Sequence, residues 1–588
     1  MSVYRSDQAI VTFAPEAGHG GYPEPATGIT SGTGTAVINM ANGLPSGSRQ
    51  ITVDSLSGLT AGEYVQIGAS ATEETEVRRV EYVDGSTGLT LDAPTAFFHP
   101  NNDTLQVVTG VDDADSDKFI TWVPGVYETV DVPDPEVAIE GRYLLGVGQK
   151  RNFFVAYKGQ QTFTGSIGGF ILLNGWPLRF PIGLVNSISI GGTAGSDTTT
   201  IDGDYTDLTD VDGARKGDYW ITLDAVDGVA VGNLIAIGYD ASPTATTHSE
   251  IRRITKETGS TVRLNYPLQF NHADNTGVRL ITEGSVTNYR HDIFETVDLD
   301  TISWHVHMRD SGESVSKDFN RRYFGGHAAA MTISADEGGL LTAGWDTVTF
   351  QDMVHNQEFS SVYGSGTTAL PGYTYMQPID STNVGVPFKT YDGSGAAFSD
   401  FSAGGFPSTE PYYFSQGSLT MFGVEFARVR SFNLSISNGE EPRYYIGGQG
   451  KGTRRHRGPT EIREQQREYS MSATITLPDA HVADGVPSGT ASDARRLYTE
   501  LLLEGDYGTT SSSMSGFAVS LVFTRGSNDT ITFTIPDDGT AAAGGGEQGA
   551  FIRSAPHSIT GDNPLQTDVD ILFRNMKIQI ADSEPFYP

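Results

Sequence analysis

The chain repeats itself, and that repeat limits its fold more than any other feature. Ile51-Thr-Val-Asp-Ser-Leu-Ser-Gly-Leu-Thr-Ala-Gly-Glu-Tyr-Val-Gln-Ile-Gly68 aligns with Ile221-Thr-Leu-Asp-Ala-Val-Asp-Gly-Val-Ala-Val-Gly-Asn-Leu-Ile-Ala-Ile-Gly238. Glu76-Val-Arg-Arg-Val80 then aligns with Glu250-Ile-Arg-Arg-Ile254, and Leu91, Pro94, Phe97 and His99 with Leu264, Pro267, Phe270 and His272. Apolar character is kept position by position, so each copy reads as a small all-β module of about five short strands. The shared Glu-x-Arg-Arg reads as a strand with an outward charge ladder rather than a ligand site.

Period-two alternation and β-branched runs continue beyond the repeat, broken by Gly, Asp, Asn and Pro. Ser470-Met-Ser-Ala-Thr-Ile-Thr-Leu477 and Thr530-Ile-Thr-Phe-Thr-Ile535 are examples. One helix is expected: Ser492 caps it, Ala494, Leu497, Tyr498, Leu501 and Leu502 form its apolar stripe, and Gly505 closes it. A fainter similarity links Arg142-Tyr-Leu-Leu-Gly146, Arg322-Tyr-Phe-Gly-Gly326 and Arg443-Tyr-Tyr-Ile-Gly447. Each is expected to precede a loop leading into a strand, which suggests that a larger domain is duplicated as well.

Charge narrows the function. Asp and Glu total 72 against 38 Lys and Arg, a net charge of -34. Such a surface repels nucleic acid rather than gripping it. Nine of the 38 basic residues are lysines. Excess carboxylate with scarce lysine resembles halophilic surfaces, whose self-repulsion is screened by high salt; an ordinary acidic protein from a GC-rich genome, which favours Arg over Lys, is the alternative reading. Cysteine is absent, which excludes disulfides, thiolate metal sites and a cysteine nucleophile. No run of apolar residues is long enough for a membrane helix, and Met1–Ala9 lacks the basic and apolar regions of a signal peptide.

No catalytic or cofactor motif emerges. Gly-x-Ser-x-Gly, the phosphate-binding loop and His-Glu-x-x-His are all missing, and Gly448-Gln-Gly-Lys-Gly452 lacks the Ser/Thr of a phosphate cradle. His305 and His307 share a strand face without a third ligand and read as ordinary strand residues. Asp113-Ala-Asp-Ser-Asp117 and Asp202-Gly-Asp204 lack the glycine and distal glutamate of a calcium loop and read as linkers. The expectation is a non-enzymatic protein with no catalytic residue, no cofactor and no metal.

The C-terminal third resembles the tail tube proteins of long-tailed bacteriophages and their archaeal relatives. The resemblance lies in Phe432-Asn-Leu-Ser-Ile-Ser-Asn438, Glu441-Pro-Arg-Tyr-Tyr445, Pro459-Thr-Glu-Ile462, Arg467-Glu-Tyr-Ser-Met471, Ile531-Thr-Phe-Thr-Ile535 and Val569-Asp-Ile-Leu572. Residues 290–350 are similar too, through Trp304-His-Val-His307, Arg322-Tyr323 and Thr332–Leu341. It implies a mainly β chain: tandem tail-tube β-sandwich or half-barrel domains with one flanking helix, plus the two small all-β modules. The expected parts are an N-terminal arm (1–50), a first module (51–109), tube domain A (110–183 with 284–405), an inserted second module (184–283) and tube domain B (406–588). Phe432, Glu441, Arg443 and Tyr444 carry the tube-domain motif.

The resemblance further implies self-association into rings that stack into a tube, with other tail proteins at its ends and viral DNA passing through. A duplicated domain favours three chains per ring with pseudo-sixfold symmetry; a single domain requires six. The loop 447–459, with Lys451, Arg454, Arg455 and Arg457, is expected to reach carboxylates of the next ring. The expected setting is the tail of a virion, assembled in the cytoplasm of a haloarchaeal host, with no membrane contact. The alternatives are a baseplate hub or distal tail ring, a halophilic surface adhesin, or a polysaccharide-degrading β-enzyme using paired carboxylates.

Overall fold

The computed structural model describes residues 9–16, 30–109, 121–142, 155–190, 198–355, 388–389, 395–396, 410–444, 458–476, 516–537 and 549–587, apart from short gaps within these ranges. The described residues are mainly β. The helix expected at 492–505 lies outside them, as do Asp113–Asp117, Gly448–Gly452 and most of the loop 447–459.

Eight antiparallel strands run side by side through the main sheet, which has sixteen strands in all. In chain order these strands and the hairpin strands beside them are β1 (Thr129–Asp131), β2 (Glu136–Arg142), β3 (Val155–Ile171), β4 (Phe319–Asp336), β5 (Thr342–Phe350), β6 (Val429–Ser437), β7 (Glu441–Arg443), β8 (Glu461–Arg463), β9 (Glu468–Thr476), β10 (Ala550–Ser554) and β11 (Gln566–Phe573), β7 and β8 forming a two-stranded sheet of their own. Across the sheet the order is β1-β3-β5-β4-β6-β9-β11-β10. Two quartets follow the same path, each placing its first, second, fourth and third strands side by side. In each, a hairpin separates the first two strands: β2 with the start of β3, and β7 with β8.

Each quartet also sends strands to a second sheet. Gly183–Ile190 and Asn288–Glu295 come from the first, Val519–Arg525 and Asp529–Ile535 from the second. Lys577–Asp582 pairs with both Asn288–Glu295 and Asp529–Ile535, so the two halves share this sheet. Between Arg525 and Asp529 the chain turns tightly, with Gly526 at φ +61°. At the corresponding place in the first half, the chain instead leaves to build the second small module.

Alternation in sequence becomes sidedness in the sandwich. Ile333, Leu434, Met471 and Ile571 form one inward row, and Met331, Ile436, Tyr469 and Phe573 another. They share one core with Phe523, Phe533, Ile578 and Ile580 of the second sheet, and Phe432 meets Phe523 at 5.4 Å. Each such side chain contributes roughly 1.5–3 kcal/mol on burial.

Two expectations need correction here. Arg322–Gly326 does not precede a loop; it lies inside β4, an 18-residue strand that changes neighbours midway. Its first half pairs with Ile302–Met308 and its second with β5 and β6. Gly325 at φ +62° allows the bend between them. The segment 1–50 is not one arm: Ala9–Pro15 pairs with Ile302–Met308, whereas Thr30–Val37 belongs to the first small module. Phe13 thereby reaches Trp304 and Trp345 edge-on at 5.1 and 4.9 Å.

The two repeat copies have the same strand order. The first runs Thr30–Val37, Thr104–Thr109, Tyr64–Ile67, Glu76–Asp84, Gly88–Leu91, Gln50–Thr52; the second runs Thr199–Thr200, Gly277–Ile281, Leu234–Ile237, Glu250–Thr258, Thr261–Leu264, Trp220–Thr222. Bridges Ile38–Val53 and Ile201–Leu223 join last strand to first, so both are small six-stranded barrels. Closure leaves few open edges.

The Glu-x-Arg-Arg strand is not an outward ladder. Glu250 is 0% and Arg252 2% exposed. The Glu250 carboxylate accepts from the backbone N–H groups of Gln269 and Phe270, from Arg252 and from His272. Arg252 in turn donates to the carbonyls of Ile251 and Pro267. Burial alone pushes the Glu250 carboxyl up, but Arg252, His272 and the Gln269 N–H outweigh it and hold it below the usual range. The charges thus form an internal strut pinning 267–272 to the strand. Arg78, at the equivalent place in the first barrel, is also buried.

Candidate functional site

The outer face of the eight strands is mainly polar, with more carboxylates than cations. Strand pairing sets its side chains in rows. Thr342, Ser334, Asn433, Ser472 and Asp570 form one, Thr332, Ser435 and Ser470 a second that ends on Leu572 and Phe551, and Asp336, Ser431, Thr474 and Asp568 a third. These positions are exposed or half-buried, and they alternate with the core residues along each strand.

Hydroxyls hold several of the carboxylates against the sheet. Ser166 donates to Asp131 at 3.1 Å, Thr474 to Asp568 at 2.7 Å, and Thr332 to Asp346. Arg430 and Arg553 border the face, and each is engaged by a carboxylate: Glu337 at 2.9 Å and Asp570 at 2.7 Å. Short hydroxylic side chains leave the sheet smooth, and the carboxylates give it a negative potential. A phosphate-bearing polymer beside such a wall is repelled, and the two arginines that border it are already engaged.

The expected tube-motif residues divide. Phe432 is a core residue. Glu441 and Arg443 pair with each other at 2.6 Å on β7, and Glu441 also accepts from Gln465. Tyr444 donates to the carbonyl of Gln161 at 3.2 Å, tying the second hairpin to β3, and its partial burial raises its pKa. Lys451, Arg454, Arg455 and Arg457 lie outside the described residues; the β7–β8 hairpin that leads to them is described. His305 and His307 sit on Ile302–Met308, opposite Thr12 and Ile10. Reading the sequence missed the polar rows. Their signal was present in Ser431–Ser437 and Ser470–Thr476, but which strands lie side by side is a long-range property.

One arrangement invites a catalytic reading. Ser187 Oγ lies 2.8 Å from His291 Nδ1, and His291 Nε2 is 3.4 Å from Asp582. All three residues are at most 2% exposed, and Nε2 is closer to the Glu584 carbonyl, at 2.8 Å. Tyr587 stacks on the imidazole at 3.8 Å and donates to Asp582. The cluster locks the C-terminal segment into the core, and its serine is closed to substrate. No group of three or more potential metal ligands occurs among the described residues. No helix there is long and apolar enough to cross a membrane. No known family model matches the chain, and no curated protein sequence does either.

Proposed function

We propose that this chain is the ring-forming protomer of a viral tail tube, with the hydroxyl-and-carboxylate face of the main sheet lining the bore. The observation that carries this reading is that face, spread over a sheet whose two quartets follow one path. Tandem tube domains account for the doubling. Three copies supply twenty-four strands, eight each, and a ring of six similar quartets.

The junction between chains then copies the junction within one. Inside the chain, β4 of the first quartet pairs antiparallel with β6 of the second. Because the strands alternate in direction, β10 at one border meets β1 of the next copy in the same antiparallel sense. Closure satisfies borders that would otherwise recruit strands without limit. Asp131, Asp336, Asp346, Asp568 and Asp570 face the bore and let viral DNA slide during ejection. The basic loop beyond β7 engages carboxylates of the adjacent ring, and other tail proteins close the ends. The acidic exterior suits a virion of a haloarchaeal host, where molar salt screens it.

The absence of native cysteine makes the test clean. Thr129→Cys and Ser554→Cys, placed together on opposite borders and treated with a short bis-maleimide, are expected to give a covalent ladder ending at three chains. Cross-links confined to single chains would overturn the proposal.

A further inference from the structure

The β7–β8 hairpin leaves the main sheet through two connectors, 438–440 and 464–467, and each brings a glutamate to its root. Both glutamates face His327, which is 8% exposed on β4. Glu464 Oε1 lies 3.7 Å from His327 Nδ1 and accepts the N–H of Leu299 at 2.8 Å. Both Glu440 carboxylate oxygens are buried without a hydrogen-bond partner among the described residues. Glu16, following the strand Ala9–Pro15, is a third carboxylate near His327, and its oxygens accept the N–H of Gly325 at 2.9 and 3.2 Å.

The opposing cation is Arg467, which is already engaged. It donates to Asn438 Oδ1 at 2.6 Å and to the Ile182 carbonyl at 3.1 Å, and it pairs with Glu295 at 3.4 Å. Tyr469 OH lies 3.5 Å from it. Three carboxylates, Glu16 buried and Glu440 and Glu464 half-buried, therefore surround one imidazole and one guanidinium shared with a fourth carboxylate. Full ionisation leaves a buried negative charge with no partner, which is strongly unfavourable.

We propose that this cluster is a proton-operated latch: it seats the hairpin root against β4 while Glu440 and His327 are protonated, and releases it when Glu440 ionises. Burial pushes the Glu440 carboxyl up to about 7; Glu464 adds to that push, while His327 and Arg467 oppose it. Burial pushes His327 down, but Glu464, Glu440 and Glu16 outweigh it and raise its pKa. Both folded-state values are raised, so both contributions are present in acid and are lost as pH rises through those values. For Glu440 the loss spans the range from its ordinary 4.5 to about 7. The latch does not depend on the tube reading, yet it governs the root of the hairpin carrying the basic loop.

Hydrogen exchange on the full chain in molar salt, from about pH 5.5 to 8.5 and corrected for intrinsic pH dependence, tests it. Peptides covering the hairpin root (437–444 and 458–470) are expected to lose protection, by up to about tenfold per unit, between about pH 5.5 and 7 and to lose nothing further to Glu440 above that, with β11 unchanged. Glu440→Gln is expected to flatten that loss. Root protection independent of pH in the natural chain overturns the latch, and that arm stands alone if the variant does not fold. An unaltered pH profile in folded Glu440→Gln overturns it as well.

Discussion

The two small barrels share sequence and strand order but not surroundings. The first keeps a core of its own, including Ile38, Leu44, Val65, Leu91 and Leu105. The second also has a private core, yet Leu234, Ala236, Ile251, Tyr266 and Ile281 join the core of the main body. Polar ties reinforce that seam. Gln269 accepts the N–H of Val185 at 2.9 Å, Ser187 N donates to the Ser249 carbonyl at 2.8 Å, and Asp300 bridges Arg179 and Lys216 at 2.7 and 2.9 Å. Tyr266 packs on Phe586 with ring centroids 5.7 Å apart. In the first copy the positions of Tyr266 and Gln269 are Ala93 and Ala96. One scaffold thus keeps its own core in the first copy and joins the main core in the second, through residues on three strands and one loop, while the internal Glu–Arg strut serves the barrel itself.

The largest break in the comparison is Glu250→Ala. It strands Arg252 and two backbone N–H groups, and it should cost the second barrel about 3–5 kcal/mol in denaturant titration. The Glu250 carboxyl is held below its usual range, so its contribution is present above its ordinary pKa and lost as pH falls through the lowered value. Acid should therefore weaken the second barrel of the natural chain more than that of Glu250→Gln. Next comes Tyr266→Ala, at about 3 kcal/mol, which should free the second barrel to melt apart from the main body in calorimetry. Gln269→Ala leaves the buried Val185 N–H unpaired and should cost about 1–3 kcal/mol. The smallest effect is expected from excising the first barrel. Thr30 and Thr109 are paired neighbours, so removing 30–109 leaves a short gap and should not shift the main melting transition.

The strands of both repeats, and the alternation that gives the main sheet two unlike faces, were legible because a strand's sidedness is written locally. The Glu-x-Arg strut was not. A charged pair on a strand reads as solvent-facing unless its partners are known, and Glu250's partners at Gln269, Phe270 and His272 are 19 to 22 residues away. Arg322 misled for a related reason: a glycine-bent strand that changes neighbours looks, in sequence, like a strand ending in a loop. The polar rows were half legible. Ser431-Phe-Asn-Leu-Ser shows alternation, but only the register of β4, β6, β9 and β11 turns separate stripes into one surface. The hairpin-root cluster, drawn from residues 16, 327, 440 and 464, had no local signature at all.

Electron microscopy of the purified full chain in molar salt tests the central claim most directly. The account predicts hollow rods built of three-chain rings, with the Ser/Thr/Asp face of the main sheet turned to the bore. Dispersed single chains at every salt concentration, or an assembly with that face on the outside, would contradict it.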